Sequence, residues 1–444
     1  MGTFFLTSTQ DDVRAILHGF APEFERQRKF GPRQIVAVLM TMIRVECGYR
    51  RGLGLVHEHH GEVFGWRSGA PPTAGAFCRA RRKLSPEDMR RVYRDALAGP
   101  TAVAARKRWR WKGKVVYAAD GVRFLLPASA AVTTEWGRPL LADGKEAYQP
   151  QLLQVTLWDV GAVQPLDWVH LPCRGKGHGE RTGILKLIDR LGPGDVLLLD
   201  RGFPSRRLLF ELLARGIHFV IRMTAGSDTD FTEVSHFLAG RSADRDVDFS
   251  YTDPDCTDPL VERLRLVRTN GADGDVRVLV TNLSDRDLYS RHDLFELYSR
   301  RWGIENAFRD LKIRYACEDF HGTTPQFIEQ EIVALMLLML IESLVEETAL
   351  MTLPAAQRGC GDDHRPQRCN RAALGDRIPT LIAIGLREHV PRHLATAFRR
   401  GIQACAADRT RVRRTRSYPR ICRSQYGRWR VQRRHRMARD RGAA

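Results

Sequence analysis

Three acidic residues stand where a carboxylate is expensive. Asp120 closes the hydrophobic run VVYAAD, Asp200 closes DVLLLD, and Glu305 lies in the base-rich stretch YSRRWGIENAFRDLKIRY. A carboxylate at the mouth of a buried strand costs desolvation free energy unless it is paired, hydrogen-bonded or bound to a cation. Either aspartate alone reads as a turn-initiating residue after a strand. The two together, on strands that would be neighbours in one sheet, point to a metal site.

The third acid comes from the segment that follows the strands. Read as one helix from Tyr298 at about 100° per residue, Arg301, Glu305 and Lys312 fall with Tyr298 in a stripe about 60° wide. Leu297, Ile304, Phe308 and Leu311 fall on the adjoining apolar face, so such a helix can pack on the sheet and still aim four polar side chains along one edge. The spacing also fits a plain Arg–Glu ion pair. Three carboxylates from two strands and a helix form a hard, oxygen-rich donor set of the kind Mg²⁺ or Mn²⁺ prefers. Two such ions about 3.5–4 Å apart activate a water or a 3′-hydroxyl and stabilise the leaving oxygen in phosphoryl transfer. Arg301 and Lys312 then read as clamps for the polyanion that the acids alone would repel.

The elements that must position these residues follow from the hydrophobic periodicity. Residues 1–98 read mainly as helices, with Thr73 and Ser85-Pro86-Glu87 as helix starts. Arg79, Arg81, Arg82 and Lys83 on the helix after Thr73 fit a DNA-binding face or a solvated basic one. His57, Glu58, His59 and His60 read as a polar loop. From Lys114 three strand-like segments in succession give way to helix, strand, helix, strand, an α/β order with one mixed sheet. ERTGILKLIDRLG reads as a helix ending at glycine, and Ser205 caps the next one. Residues 225–285 carry two strand-like runs, VERLRLVRT and DVRVLVTNL, as a β-rich insertion closed by a long helix beginning near Asp293. The apolar run Ile332 to Ile341 is too short for a bilayer and reads as a buried core helix.

Composition bounds the partners. The 444 residues carry 71 Lys plus Arg against 52 Asp plus Glu, a formal net charge of +19, which argues for a polyanionic partner. From Arg409 to Arg441 there are 14 arginines and one acid, Asp440, interleaved with Tyr418, Tyr426 and Trp429. That segment suits phosphate contact with salt-dependent binding, or a solvated tail. The nine cysteines lack CxxC pairing and fit a reducing compartment; Cys360, His364 and Cys369 form a weak metal pattern. No signal peptide is indicated, so the expected location is cytoplasmic, with no membrane association.

These motifs together carry a resemblance. Asp120 with its DG, Asp200 within LLLDRGF, and Tyr298, Arg301, Glu305 and Lys312 in the spacing Y-x2-R-x3-E-x6-K resemble the DDE transposases of the insertion-sequence-four family. The surrounding VLVTNLSDRDLYSRHDLFELYSRRWGIENAFRDLK is similar to that family beyond the spaced residues, and the likeness spans roughly residues 75–345. The resemblance implies an RNase H-like mixed sheet flanked by helices and interrupted by a β-rich insertion, with a helical N-terminal domain and a basic C-terminal region. It implies Asp120, Asp200 and Glu305 as ligands of two Mg²⁺ or Mn²⁺ ions, with Tyr298, Arg301 and Lys312 on DNA; Arg201 and Trp302 adjoin the motifs as further DNA contacts.

The corresponding domains are 1–100 for DNA-end recognition, 112–224 with 286–350 for the catalytic core, 225–285 for the insertion, and 351–444 for the C-terminal region. The implied function is transposition, with cleavage at the element's ends followed by strand transfer. The expected partners are double-stranded transposon-end and target DNA with a second copy of the chain, in a prokaryotic, nucleoid-associated setting. An RNase H-like nuclease without strand transfer, or a retired DNA-binding descendant, are the alternatives. One departure stands out: well-studied relatives stabilise a flipped base with an aromatic from the insertion. No tryptophan occurs here between Trp168 and Trp302, leaving Phe231, Phe237, Phe249 or Tyr251. His178 in GKGHGER is a further residue near the expected site.

Overall fold

The computed structural model describes residues 2–19, 30–66, 69–224, 231–253, 257–270, 276–363 and 367–411, all within one compact unit, Met1–Val412. The Arg-rich tail with Tyr418, Tyr426 and Trp429, and also His364, lie outside the described residues.

Six helices come first: α1 (Gly2–His18), α2 (Pro32–Val45), α3 (Tyr49–His60), α4 (Ala74–Arg81), α5 (Pro86–Leu97) and α6 (Pro100–Arg108). The caps read from sequence are made, since Thr73 Oγ1 accepts the Ala76 amide at 3.3 Å and Ser85 Oγ accepts that of Glu87 at 3.1 Å. The histidine cluster is not a loop. His57 to His60 close α3, where 100° steps spread the rings around the helix and His60 turns inward. Burial pushes the His60 imidazole down to about 4, and no metal-binding group of three side chains forms among the described residues.

One sheet organises the rest. Its strands are β1 (Val116–Leu125), β2 (Gln151–Asp159), β3 (Gln164–Pro172), β4 (Val196–Leu199), β5 (His218–Met223), β6 (Asp244–Tyr251), β7 (Leu260–Asn270) and β8 (Val276–Thr281). Helices between them are α7 (Ala130–Trp136), α8 (Glu180–Leu185), α9 (Arg206–Ala214) and α10 (Thr232–Ala239). The spatial order is β3-β2-β1-β4-β5-β8-β7-β6. β1, β2 and β3 pair antiparallel, β1-β4-β5 parallel, and β8, β7 and β6 extend the sheet antiparallel from β5. This is an RNase H-like mixed sheet with helices on both faces, and the strands of the 225–285 segment continue it. β6 lies outside the two strand-like runs expected in 225–285: its Asp244, Asp246 and Asp248 make that stretch polar and Asp-rich, and a charged strand is what a sheet edge tolerates. The helix expected over ERTGILKLIDRLG stops at Leu185 and a short 3₁₀ turn follows, Ile188–Arg190.

The chain ends in α11 (Arg291–Ser299), α12 (Trp302–Ile313), α13 (Pro325–Met351), a small β9 (Gln367–Cys369), α14 (Arg371–Gly375), α15 (Ile378–Gly385), α16 (Arg392–Ala407) and β10 (Arg409–Arg411). α13 is buried around its circumference and packs against α5, α6, α16, α1 and α2. No described helix is long and apolar enough to cross a membrane. α13 nevertheless carries four buried glutamates, and each is met by an arginine from a different element: Glu331 by Arg81 at 3.1 Å, Glu342 by Arg314 at 2.8 Å, Glu346 by Arg368 at 3.0 Å, and Glu347 by Arg108. Removing one partner of such a pair strands a charge in the interior.

Arg81 is therefore not on a basic outer face. It is fully buried, donating to Gln330 Oε1 (2.9 Å), Tyr49 Oη (2.9 Å), the Phe327 carbonyl (3.0 Å) and Glu331, with its guanidinium 4.2 Å from the Phe327 ring centre. Arg79, Arg82 and Lys83 remain exposed. Arg81→Ala is expected to lower stability by about 3–5 kcal/mol, read as an earlier urea midpoint, whereas Arg82→Ala should leave the midpoint nearly unchanged.

Candidate active site

The two aspartates are brought together by strand pairing. β1 and β4 run parallel with Val116 opposite Val196, Tyr117 opposite Leu197 and Ala118 opposite Leu198. Two residues further on each chain stand Asp120 and Asp200. Ala118, Val122 and Leu198 belong to the core on the α13 side of the sheet, while Ala119, Leu197 and Leu199 belong to the opposite core. By strand alternation both aspartates face the α13 side, where Ile304 and Phe308 of α12 also pack. Asp120 does not close its strand as the sequence suggested; β1 runs on through Gly121 to Leu125. Asp200 does follow the last residue of β4 directly, and accepts the Gly202 amide at 2.8 Å.

Gly121 explains the strand's continuation. A Cβ there would lie 2.2 Å from Glu180 Oε1, so only glycine lets this carboxylate, rooted on the opposite face at the start of α8, rest against β1. Glu180 Oε2 likewise lies 3.5 Å from where a Gly202 Cβ would stand. A fourth acid thus reaches the two aspartates past the glycines of the DG and DRG motifs. Sequence spacing missed Glu180, whose only signal is its position two residues after His178 in the GHGE turn. His178 itself hydrogen-bonds the Arg174 carbonyl through Nδ1 at 2.7 Å and so holds that turn.

The crowding of charge is visible in proton affinities. Burial pushes the Asp120 carboxyl up to about 6; the Gly121 amide and Arg301 oppose the rise, and Asp200 and Glu180 add to it. Glu180 is raised as well, by burial and then by Asp200, with Arg123 opposing.

The single helix expected from Tyr298 to Lys312 is two helices. α11 ends at Ser299, and the Arg300 and Arg301 amides make i to i−3 bonds to Leu297 and Tyr298 at 3.0 Å before α12 starts at Trp302. The two guanidinium groups leave this turn for different partners: Arg300 donates to the Gly361 carbonyl, while Arg301 turns to the acids. One wheel therefore does not describe the four signature residues. Arg301 Nη1 lies 3.4 Å from Asp120 Oδ2 and Nη2 lies 2.7 Å from Glu305 Oε1, with the guanidinium 5.9 Å from the Tyr298 ring centre. Burial works against the charge on Arg301, but Tyr298, Glu305 and Asp120 outweigh it and raise its pKa.

Lys312 stands apart from this group. Its Nζ donates to the Arg123 carbonyl at 2.8 Å and to Glu318 at 3.2 Å, further along β1. Trp302 is 56% exposed and so does not anchor the helix in the core. Arg201 is exposed in the turn after Asp200. The phenylalanines of the insertion are packed inside: Phe231, Phe237 and Phe249 are buried, and Tyr251 leans on Phe210 with ring centres 5.5 Å apart.

The donor chemistry at Asp120, Asp200, Glu180 and Glu305 is all hard carboxylate oxygen, which suits Mg²⁺ or Mn²⁺. In the present arrangement, however, no three acidic, histidine or cysteine side chains converge closely enough to hold a metal among the described residues, and Arg301 stands between Asp120 and Glu305.

The family model described as "Transposase DDE domain" matches residues 111–341, more than half of the chain, and that span contains Asp120, Glu180, Asp200 and Glu305. The chain belongs to this transposase family. Among its relatives is the transposase InsG for insertion sequence element IS4 of Escherichia coli, 24% identical over 276 residues, covering 59% of this chain and 58% of the relative. This chain thus matches less than two thirds of that relative's length. A solved structure of the piggyBac transposase synaptic complex with hairpin DNA aligns over 89% of this chain and 82% of its own, with a TM-score of 0.44 and 10% identity.

Because the folded protein protonates Asp120 more readily than the unfolded chain does, stability falls as pH rises from about 4 through 6, and the cost persists above that window. Asp120→Asn removes the charge. In EDTA at pH 7–8 the variant should be more stable than wild type by about 1–3 kcal/mol, and the gain should fade as the pH is lowered toward 4, as read by scanning calorimetry. Equal or lower stability of the variant at pH 8 would contradict the crowding of charge described here.

Proposed function

We propose that the chain is the transposase of an insertion sequence, binding the element's ends and catalysing metal-dependent DNA cleavage and strand transfer. The observation that carries this reading is the side-by-side register of Asp120 and Asp200 on β1 and β4, with Glu305 joined to Asp120 through Arg301. Asp120, Asp200 and Glu305 would hold Mg²⁺ or Mn²⁺, two ions in the full reading, with Glu180 beside them. Bound ions supply activation of a water or 3′-hydroxyl and neutralisation of the leaving oxygen.

The chain's own residues do the remainder. Arg301 and Lys312 offer charged donors to DNA phosphates, and Tyr298 supports Arg301. Exposed Trp302 and Arg201 flank the acids and offer a stacking surface and a further cation. The reading assigns residues 1–100 to end recognition, with Arg79, Arg82 and Lys83 as its outward cations. It assigns 112–224 with 286–350 to catalysis, 225–285 to the insertion, and the Arg-rich 351–444 region to non-specific phosphate contact. A second copy of the chain is needed to hold two ends, so the working form is a homodimer on DNA in a bacterial cytoplasm, associated with the nucleoid. A retired DNA-binding descendant fits less well, because all three acids of the motif are present.

Asp120→Ala, Asp200→Ala and Glu305→Ala should each reduce Mg²⁺-dependent end cleavage by roughly 10²–10³-fold or more while leaving gel-shift affinity for DNA largely intact. Near-normal cleavage in any one of them removes that residue from the site. Joining of a labelled 3′ end to plasmid DNA separates the two enzymatic readings: joined product supports the transposase, and hydrolysis alone supports an RNase H-like nuclease.

A further inference from the structure

Arg301 is doing something other than waiting at a DNA surface. The signature arginine is 8% exposed, and its two terminal nitrogens are directed at Asp120 and Glu305, two of the acids assigned to metal. Its Nε, by contrast, is a buried donor without a hydrogen-bond partner. A buried N–H without a protein partner is available to a bound water, ion or ligand. The group is a permanent cation, since a guanidinium does not deprotonate in a protein. It can therefore leave the acids only by moving.

Its place in the chain permits that movement. Arg301 sits in the 3₁₀ turn between α11 and α12, outside both helices, where side-chain reorientation need not disturb a regular hydrogen-bond ladder. A divalent ion within reach of Asp120 Oδ2 and Glu305 Oε1 would stand beside this guanidinium, and like charges at such separation repel strongly in a partly buried site. Among the described residues no three acids converge as a metal-binding group while Arg301 holds Asp120 and Glu305. A phosphate diester offers what would draw the arginine out, an anion whose two non-bridging oxygens accept paired hydrogen bonds from the planar guanidinium, Nε–H included.

We infer that Arg301 is an internal counter-ion that keeps the acids closed to metal in the DNA-free protein, and that a DNA phosphate takes over its guanidinium so that metal loads after DNA engages. The inference rests on the assignment of Asp120, Asp200 and Glu305 as metal ligands. Its consequence is order: the free protein holds no hydrolytically competent metal site until a DNA phosphate has engaged Arg301. Coupling of this kind is reciprocal, so metal in turn strengthens the hold on DNA.

The test is metal binding without turnover. Full-length wild type and Arg301→Gln are titrated with Mn²⁺ by calorimetry in the absence of DNA, with Arg301→Lys as a second variant that keeps the charge but loses the two-pronged contact. Arg301→Gln is expected to bind Mn²⁺ at least about tenfold more tightly than wild type, within the usual range of a coupling between two sites, and Arg301→Lys is expected to fall between them. Adding a mixed-sequence DNA duplex at low salt should strengthen wild-type Mn²⁺ binding and leave Arg301→Gln almost unchanged. Unchanged or weaker Mn²⁺ binding by an Arg301→Gln protein that still melts cooperatively overturns the inference; so does a duplex that strengthens both proteins equally or neither. The underlying site assignment fails separately, if Asp200→Asn introduced into Arg301→Gln does not abolish the added Mn²⁺ binding.

Discussion

Two carboxylates side by side at the end of a parallel strand pair are the constraint around which this molecule is arranged. The register of β1 and β4 makes their proximity unavoidable, because every residue that pairs Val116 with Val196 also brings Asp120 toward Asp200. Burial, with a smaller contribution from the neighbouring Asp200 charge, appears in the elevated Asp120 carboxyl. The surrounding choices answer that strain or exploit it. The glycine at 121 admits Glu180 where any side chain would crowd it, which adds negative charge rather than relieving it. Arg301 relieves it in the DNA-free protein. A fold seeking only stability would neutralise or separate these acids; keeping them is the usual signature of a site whose cost is met elsewhere in the structure.

The compensation comes from α13 and what it ties down. A helix buried on all sides is normally uniformly apolar, but this one presents four glutamates to arginines from α4, α6, the end of α12 and β9. Each pair is a directional contact, and together they fix the N-terminal helices, the end of α12 and the chain after α13 relative to one axis. Arg314, immediately after α12, is held by Glu342, so the helix that carries Glu305 is pinned at its far end while its near end meets β1 through Arg301. α12 is thus fixed by one buried ion pair and poised on another.

Much of this was legible in the chain. The strand order, the caps at Thr73, Ser85 and Ser205, and the buried core helix all follow from local rules in which alternation, periodicity and capping agree. What escaped was set by tertiary context. Arg81 reads as one of a basic cluster, and nothing local reveals that Glu331 and Gln330 lie behind it. β6 was hidden because an edge strand is charged for the same reason a linker is. The helix break at Arg300–Arg301 leaves no trace in a stretch of good helix formers, since it serves two guanidinium groups with partners distant in sequence. Glu180 joins the acids only because a glycine on a neighbouring strand lets it through. Spacing could find the residues that share an element, not the one that arrives from another.

The central claim is that Asp120, Asp200 and Glu305 form one metal site once DNA has displaced Arg301. Anomalous diffraction from crystals of the protein bound to DNA and grown with Mn²⁺ tests it most directly. The account predicts anomalous density within about 2.3 Å of oxygens from Asp120 and Asp200, with Glu305 turned toward it and Arg301 on a phosphate. Density at other residues, or none between the two strands while Arg301 still bridges Asp120 and Glu305, would contradict it.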